Sequence, residues 1–379
     1  MQVRTLVIPM GQVARNFYTK KGVQTALKDR STLSLLKESA MLRVLGNKKI
    51  SGPLGDLVKK TPDGVLDTPP ISWILSPIMS QFGTVNPYLE KVLDGFNQND
   101  VADLAKEGIG IHEDPQKILD RHLLTVQHPN VKHMALKLSS FVPFSLLQSG
   151  IETPAYEKGV AMMREVCDFG QRLDKKIYID AEGVPEQRLI EKAQLKLGAE
   201  FNDTAYLTFQ SMRSDTPKRL EAYLEFCLKT GLTPLIKQVK GAYHTQESPL
   251  FPDFYHPTFG ETDSAFRAAI AMVGQFPGKK HQFIGTMNPE LIDYAGQTLP
   301  SAAYVIANLK GMDVAAAMGI QNALIYHPIA LKPSEIINYG VRRLIELGDP
   351  KNLTGRRLSV LEEALVQRLP QLAEYFSSN

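Results

Sequence analysis

Ile236-Lys237-Gln238-Val239-Lys240-Gly241-Ala242-Tyr243 is a strand-like run that carries two cations three residues apart and then opens into a Gly-Ala-Tyr turn. Successive strand side chains point to opposite faces, so Lys237 and Lys240 do not share one. One of them points into the structure or leaves the strand near its C-terminal end. A lysine is rarely buried without an anion, and the glycine lets a backbone amide approach such an anion closely. The pattern marks either a cofactor-binding strand end or a lysine-capped surface strand, and the surrounding chain has to decide between them.

The chain has 379 residues, enough for one large core or two ordinary ones. Apolar residues make up 43% and charged residues 22%, which argues against disorder. No uninterrupted apolar run reaches the roughly 18 residues of a membrane-spanning helix. The two cysteines, Cys167 and Cys227, lie in helix-like segments with neither CxxC nor His/Cys metal spacing. This fits a reducing compartment and suggests no metal site. Net charge is +3, yet residues 1–50 carry ten Lys/Arg against two acidic residues, or +8, leaving −5 for the remainder. The basic segment lacks the interleaved aromatics that stack bases, so nucleic acid is a poor partner. A transit peptide, a basic arm touching an anionic membrane and a plain solvated helix pair all remain open.

Residues 52–100 mix Pro, Gly and apolar patches without a sustained period and read as an irregular helical arm or linker. Beyond residue 105, short β-rich runs alternate with longer amphipathic helical patterns, the signature of a parallel sheet. Eight candidate strands fall at 108–113, 133–138, 177–182, 205–210, 235–240, 282–285, 303–307 and 323–326. Eight βα units over about 240 residues predict an α/β fold of the closed (β/α)8 TIM type rather than an open doubly wound sheet. No GxGxxG follows an early strand, which disfavours a Rossmann domain. The predicted organisation is a basic N-terminal helical arm at 1–104, the barrel at 105–350 and a C-terminal helix within 351–379.

Active sites of such barrels lie at the C-terminal ends of the strands. There the predicted strands deliver Glu113, Lys137, Asp180, Glu182, Gln210, Lys237, Lys240, Thr286 and Tyr326. This polar, largely charged set differs from the turn residues of a purely structural barrel.

Several motifs, in order, resemble the proline dehydrogenase family, flavoenzymes of (β/α)8 fold. Ala135-Leu136-Lys137-Leu138-Ser139 is similar to its second-strand K-L-S, and Tyr178-Ile179-Asp180-Ala181-Glu182 to its third-strand D-A-E. Leu207-Thr208-Phe209-Gln210 resembles the fourth-strand segment ending in glutamine, and Val239-Lys240-Gly241-Ala242-Tyr243 the fifth-strand V-[KR]-G-A-Y. Leu309-Lys310-Gly311-Met312 resembles L-x-G-M after strand seven. Tyr339-Gly340-Val341-Arg342-Arg343 with Glu346 resembles the final-helix Y-x-x-R-R-x-x-E.

The resemblance implies FAD across the barrel mouth, in contact with Gln210, Lys237, Lys240, Gly241, Ala242, Tyr243 and Thr286. It implies L-proline against the flavin ring, with its carboxylate held by Arg342 and Arg343 near Lys137. Tyr326, Tyr339 and Leu309 would wall the ring, Asp180 would order the site, and Glu346 completes the helix motif. Hydride would pass to flavin N5 to give 1-pyrroline-5-carboxylate, and electrons onward to quinone or another acceptor. Elementary chemistry agrees in part. Adjacent helical arginines stand about 100° apart and can fork around one carboxylate, and a cation near the flavin, Lys237, stabilises charge developing on reduction. The implied location is mitochondrial in a eukaryotic host, otherwise cytoplasmic or peripheral on the inner membrane. The basic arm or the C-terminal helix is the candidate membrane contact.

The chain departs from the family pattern at Met287, where [TS]-H-N has histidine, and at Ala307, where glutamine is usual. Glu113 is the candidate acid for orienting the arginine pair, without a motif to anchor it. The loop 247–262 reads as a packed connection or a lid. Three alternatives to proline oxidation stay in view: hydroxyproline oxidation, a Schiff-base lyase using Lys137 or Lys240, and a degenerate non-enzymatic barrel.

Overall fold

The structure, a computed structural model, describes residues 23–24, 27–45, 67–68, 83–110, 113–286, 288–299, 303–308, 320, 323–336, 339–340 and 353–370. In chain order the elements are α1 (Thr32–Leu45), β1 (Thr84–Val85), α2 (Leu89–Asp94), β2 (Asp100–Leu104), α3 (Pro115–Gln127), β3 (His133–Leu136), α4 (Phe144–Gln148), α5 (Pro154–Arg172), β4 (Lys176–Ile179), α6 (Val184–Glu200), β5 (Ala205–Gln210), α7 (Thr216–Thr230), β6 (Leu235–Val239), α8 (His244–Glu247), α9 (Phe259–Gln275), β7 (His281–Gly285), α10 (Pro289–Thr298), β8 (Ala303–Asn308), β9 (Leu324–Ala330) and α11 (Leu353–Arg368).

Strands β2 to β9 pair in parallel with their neighbours in sequence, and β9 pairs back onto β2. The ring is therefore closed, and the (β/α)8 barrel read from the alternating pattern is the observed fold. The short β1 lies outside the ring and extends β9, with Thr84 opposite Ile329 and Val85 opposite Ala330.

Local sequence explains where the helices start. Asp114, Thr153 and Asn288 each precede a proline, and each accepts a hydrogen bond from a backbone N–H in the first turn of α3, α5 or α10. Proline at the first helical position loses an N–H that would be orphaned there anyway. A reciprocal Thr258/Glu261 box opens α9, and Gly231 at φ 73° closes α7.

One strand differs from the expectation. Among the described residues of 108–113 none is strand; the first barrel strand is Asp100–Leu104, within the stretch read as arm. Its sequence, Asp-Val-Ala-Asp-Leu, holds two residues of poor β propensity. Tertiary context overrides that propensity, because both aspartates find partners: Asp100 accepts from the Asn97 N–H at 2.8 Å and Asp103 meets a lysine inside the barrel. The last strand also runs beyond 323–326 to Ala330, where β1 pairs with it.

Inside the ring, Val101, Ala135, Tyr178, Tyr206, Leu235, Phe283 and Leu324 form an apolar layer. Tyr178, Tyr206 and Phe283 interlock there with ring centroids 4.9–5.2 Å apart. Outside, residues of the opposite parity such as Leu207, Ile236 and Ile284 pack under Leu220, Phe266 and Leu291 of the helices. At the chain's ends α1 packs on α11, tied by Arg43 to Glu362 at 2.8 Å.

Candidate active site

Two residues beyond the apolar layer, the same inward face becomes ionic. Val101 is followed by Asp103, Ala135 by Lys137, Tyr178 by Asp180, Leu235 by Lys237 and Leu324 by Tyr326. These five side chains meet. Lys137 Nζ pairs with Asp103 and lies 4.0 Å from Asp180. Lys237 Nζ is 2.5 Å from the other Asp180 oxygen and 4.2 Å from the centroid of the Tyr326 ring. The Tyr326 hydroxyl donates to Asp180. Asp180 is thus the hub, and Asp103, Lys137, Asp180 and Lys237 form a chain of alternating charge.

Burial and neighbours set the protonation states. Burial alone would drive the Lys137 ammonium to lose its proton, but Asp103, Asp180 and Glu107 outweigh it and hold its pKa above the usual lysine range. Burial raises the Asp103 pKa, with Asp180 and Glu107 adding to it against the pull of Lys137. Burial, followed by the charge of Asp180, keeps Tyr326 in its phenol form. Glu182, also enclosed, is pushed up to about 8 by burial and by Glu107, although the Ser139 hydroxyl donates to it at 2.6 Å.

The expected cofactor residues line the adjoining ends of β5, β6 and β7. Gln210 is buried and its amide donates to the Glu182 carbonyl at 3.2 Å. Lys240, past the end of β6, pairs with Asp263 of α9. Asp263 in turn accepts from Asn288 at 3.0 Å. Gly241 has φ +119°, and a Cβ there would stand 2.2 Å from Met212 Sδ; only glycine suits that position. Ala242 and Tyr243 are half-buried in the turn, and Thr286 is buried with its hydroxyl accepting from the Asn288 N–H at 3.1 Å. Tyr339 is helical and half-buried. Leu309, Arg342, Arg343 and Glu346, with Met287, lie outside the described residues.

Three acidic residues were not anticipated as site groups: Asp103, Glu107 and Asp263. Lys137 gave the available signal, since a buried lysine needs a counter-charge and Lys237 competes with it for the inward-facing Asp180. Glu113 is the expected acid for the arginine pair, which lies outside the described residues. It accepts from the Gly110 N–H at 2.6 Å, pairs with Lys106 at 2.9 Å and is largely exposed, whereas Glu107 is buried. The loop 247–262 is a packed connection. Its His256 N–H donates to the Met212 carbonyl at 2.9 Å, and the Phe254 carbonyl accepts from Ser214 N–H at 3.0 Å. Glu247 accepts from the Val184 N–H at 2.9 Å and from the Tyr255 hydroxyl. Among the described residues no group of three or more His, Cys, Asp and Glu could hold a metal ion, and no helix is long and apolar enough to cross a membrane.

A closed (β/α)8 barrel whose interior turns from apolar to ionic at the C-terminal ends of its strands has the architecture of a barrel enzyme. The family model for proline dehydrogenase matches residues 90–355, and the chain belongs to that family. Its matched region begins upstream of β2, in agreement with the first strand observed here. The fold is similar to proline utilization A from Bdellovibrio bacteriovorus inactivated by N-propargylglycine, at TM-score 0.68 and 15% identity over 92% of this chain and 44% of that one. It is similar to proline utilization A with proline bound in remote sites, at TM-score 0.66 and 13% identity over 94% and 46%. The Corynebacterium freiburgense protein matches at TM-score 0.56 and 19% identity over 78% and 33%. The chain thus spans less than half the length of these proteins. No curated protein matches the sequence.

Proposed function

We propose that this chain oxidises L-proline to 1-pyrroline-5-carboxylate with FAD, passing the electrons to a quinone or another acceptor. The observation that carries the reading is the buried cluster Lys137–Asp180–Lys237–Tyr326, placed at the strand ends of a proline dehydrogenase family barrel. The ends of β5, β6 and β7 offer an amide, two lysines, a closely approaching glycine backbone and a hydroxyl, a donor set that suits an anionic, hydrogen-bonding cofactor. Gln210, Lys240, Gly241, Ala242, Tyr243 and Thr286 would hold it. FAD, when bound, supplies the hydride acceptor.

The chain's own groups do the rest. Lys237 is a fixed cation in a dry barrel, where it stabilises negative charge far better than in water. Asp180 fixes Lys237 and Tyr326 together, and Tyr326 offers an apolar ring face to a saturated five-membered ring. Lys137, kept protonated by three carboxylates, attracts the substrate carboxylate that Arg342 and Arg343 would clasp. Its protonated state disfavours a Schiff-base nucleophile, since imine formation needs a neutral amine. The test is the visible spectrum of purified protein before and after anaerobic L-proline. Flavin bands that bleach with L-proline and not with hydroxyproline support the reading. A protein that stays colourless after incubation with FAD defeats it.

A further inference from the structure

We infer that Asp67 of the N-terminal arm is a positioning residue for the site, capping from a distance the helical turn that begins at Pro333, on the chain between Tyr326 of β9 and Tyr339. This rests on the proline-oxidising reading only for its kinetic consequence.

The first N–H groups of any helix lack intrahelical acceptors. Here the residue at the capping position is Lys332, whose side chain has donors only. The missing acceptor comes from 267 residues upstream. Asp67 Oδ1 accepts from the Ser334 N–H at 2.9 Å, and Oδ2 accepts from the Ser334 hydroxyl at 2.8 Å. Lys332 Nζ lies 3.1 Å from Oδ2. Burial works against charge on Asp67, yet these contacts outweigh it and hold the carboxyl below its usual range. A negative charge at a helix N-terminus is also favoured by the helix dipole.

The arm grips the same turn a second time. β1 pairs with Ile329 and Ala330 at the end of β9. A Cβ on Gly83 would stand 2.5 Å from the Pro328 carbonyl and 2.6 Å from Ile336 Cδ1, so the arm backbone lies hard against the strand end and the first helical turn. From the barrel side, Arg121 holds Glu335 at 2.9 Å. The gripped turn lies on the chain between Tyr326 of β9 and Tyr339, and Tyr339 lies close enough to oppose ionisation of Tyr326. Removing the cap should fray the turn that lies between these two tyrosines in the chain.

The experiment uses the full chain and four proteins: wild type, Asp67→Ala, Asp67→Asn and Asp67→Ala/Lys332→Ser. The last moves a capping hydroxyl into the helix's own capping position. Two readouts are taken, steady-state kinetics with L-proline and amide hydrogen exchange over residues 333–340. Asp67→Ala should raise KM about fivefold, the shift expected from losing a cap, with kcat within twofold, and should speed exchange. Asp67→Asn and the double variant should return both readouts to near wild type. Unchanged exchange in Asp67→Ala, faster exchange with unchanged KM, or a folded double variant that does not recover would each overturn the inference. If Asp67→Ala does not fold, recovery of folding in the double variant supports the cap and its failure rejects it. Absence of proline turnover in all four proteins would defeat the functional reading alone, because exchange still judges the cap.

Discussion

Replacing Lys137 with methionine keeps the length of the side chain and removes its charge from a dry interior. At 4.0 Å and an effective dielectric near 20, the attraction lost to Asp180 alone is about 4 kcal/mol. Breaking a buried pair on one side typically costs about 3–5 kcal/mol net, because the stranded charge stays desolvated. Asp103, already pushed up by burial, then retains its proton in the folded state to higher pH than in the unfolded chain. The folded state therefore binds more protons over that window, so the stability of Lys137→Met falls as pH rises. The gap to wild type should widen between pH 5.5 and pH 8. Adding Asp103→Asn removes the stranded charge and should recover most of the loss. The assay is urea unfolding followed by far-UV circular dichroism at both pH values. A loss that is equal at the two pH values, or an Asp103→Asn loss that simply adds to that of Lys137→Met, would refute the charge-chain account.

Glu182→Gln should remove a second pH dependence. Folded Glu182 keeps its proton to about pH 8 while the unfolded residue loses it near 4.5, so wild-type stability declines across that range, and in urea titrations the variant should be flatter there. His122 behaves in the opposite sense. Burial lowers it to about 4, so its contribution of about 3 kcal/mol, set by the pKa difference, is present above pH 6.5 and lost as pH falls toward 4; His122→Leu should be less acid-sensitive in the same titration. Gly241→Ala adds backbone strain of about 1–3 kcal/mol to a contact with Met212, and should lower both the melting temperature and the flavin retained on purification, with Met212→Ala relieving only the contact.

Seven of the eight barrel strands were legible because each is a short, largely apolar run set between longer helical patterns, and some of the helices have a readable start. Thr153-Pro154 and Asn288-Pro289 announce α5 and α10 without any knowledge of the fold. The eighth was not, because β2 is stabilised by what its aspartates touch. Asp103 reads as a strand breaker in isolation and as an inward ligand of Lys137 only once the ring is closed. The glycines at 108 and 110 misled for the converse reason: they bend a loop back toward Ser139, whose carbonyl accepts from the Ile109 N–H at 2.8 Å. The arm's part in the site was equally hidden, since no local pattern links Asp67 to a helix 267 residues downstream.

The two cations of the opening motif divide as strand alternation requires, and the division separates two roles. Lys237 points inward and its charge is met by Asp180 in a buried site. Lys240 lies beyond the end of β6, half-exposed, and its charge is answered by Asp263, which Asn288 also holds. That second linkage ties the ends of β6 and β7 to α9, so the edge where a cofactor would lie is braced before anything binds. An anion arriving there must share Lys240 with Asp263. On the FAD reading proposed above, affinity at that edge would fall to backbone donors of the Gly241 turn and to Gln210 and Thr286. On the same reading, Met287 and Ala307, which each lack a hydrogen-bonding side chain of the family pattern, would weigh more on cofactor retention than on the chemistry inside the barrel.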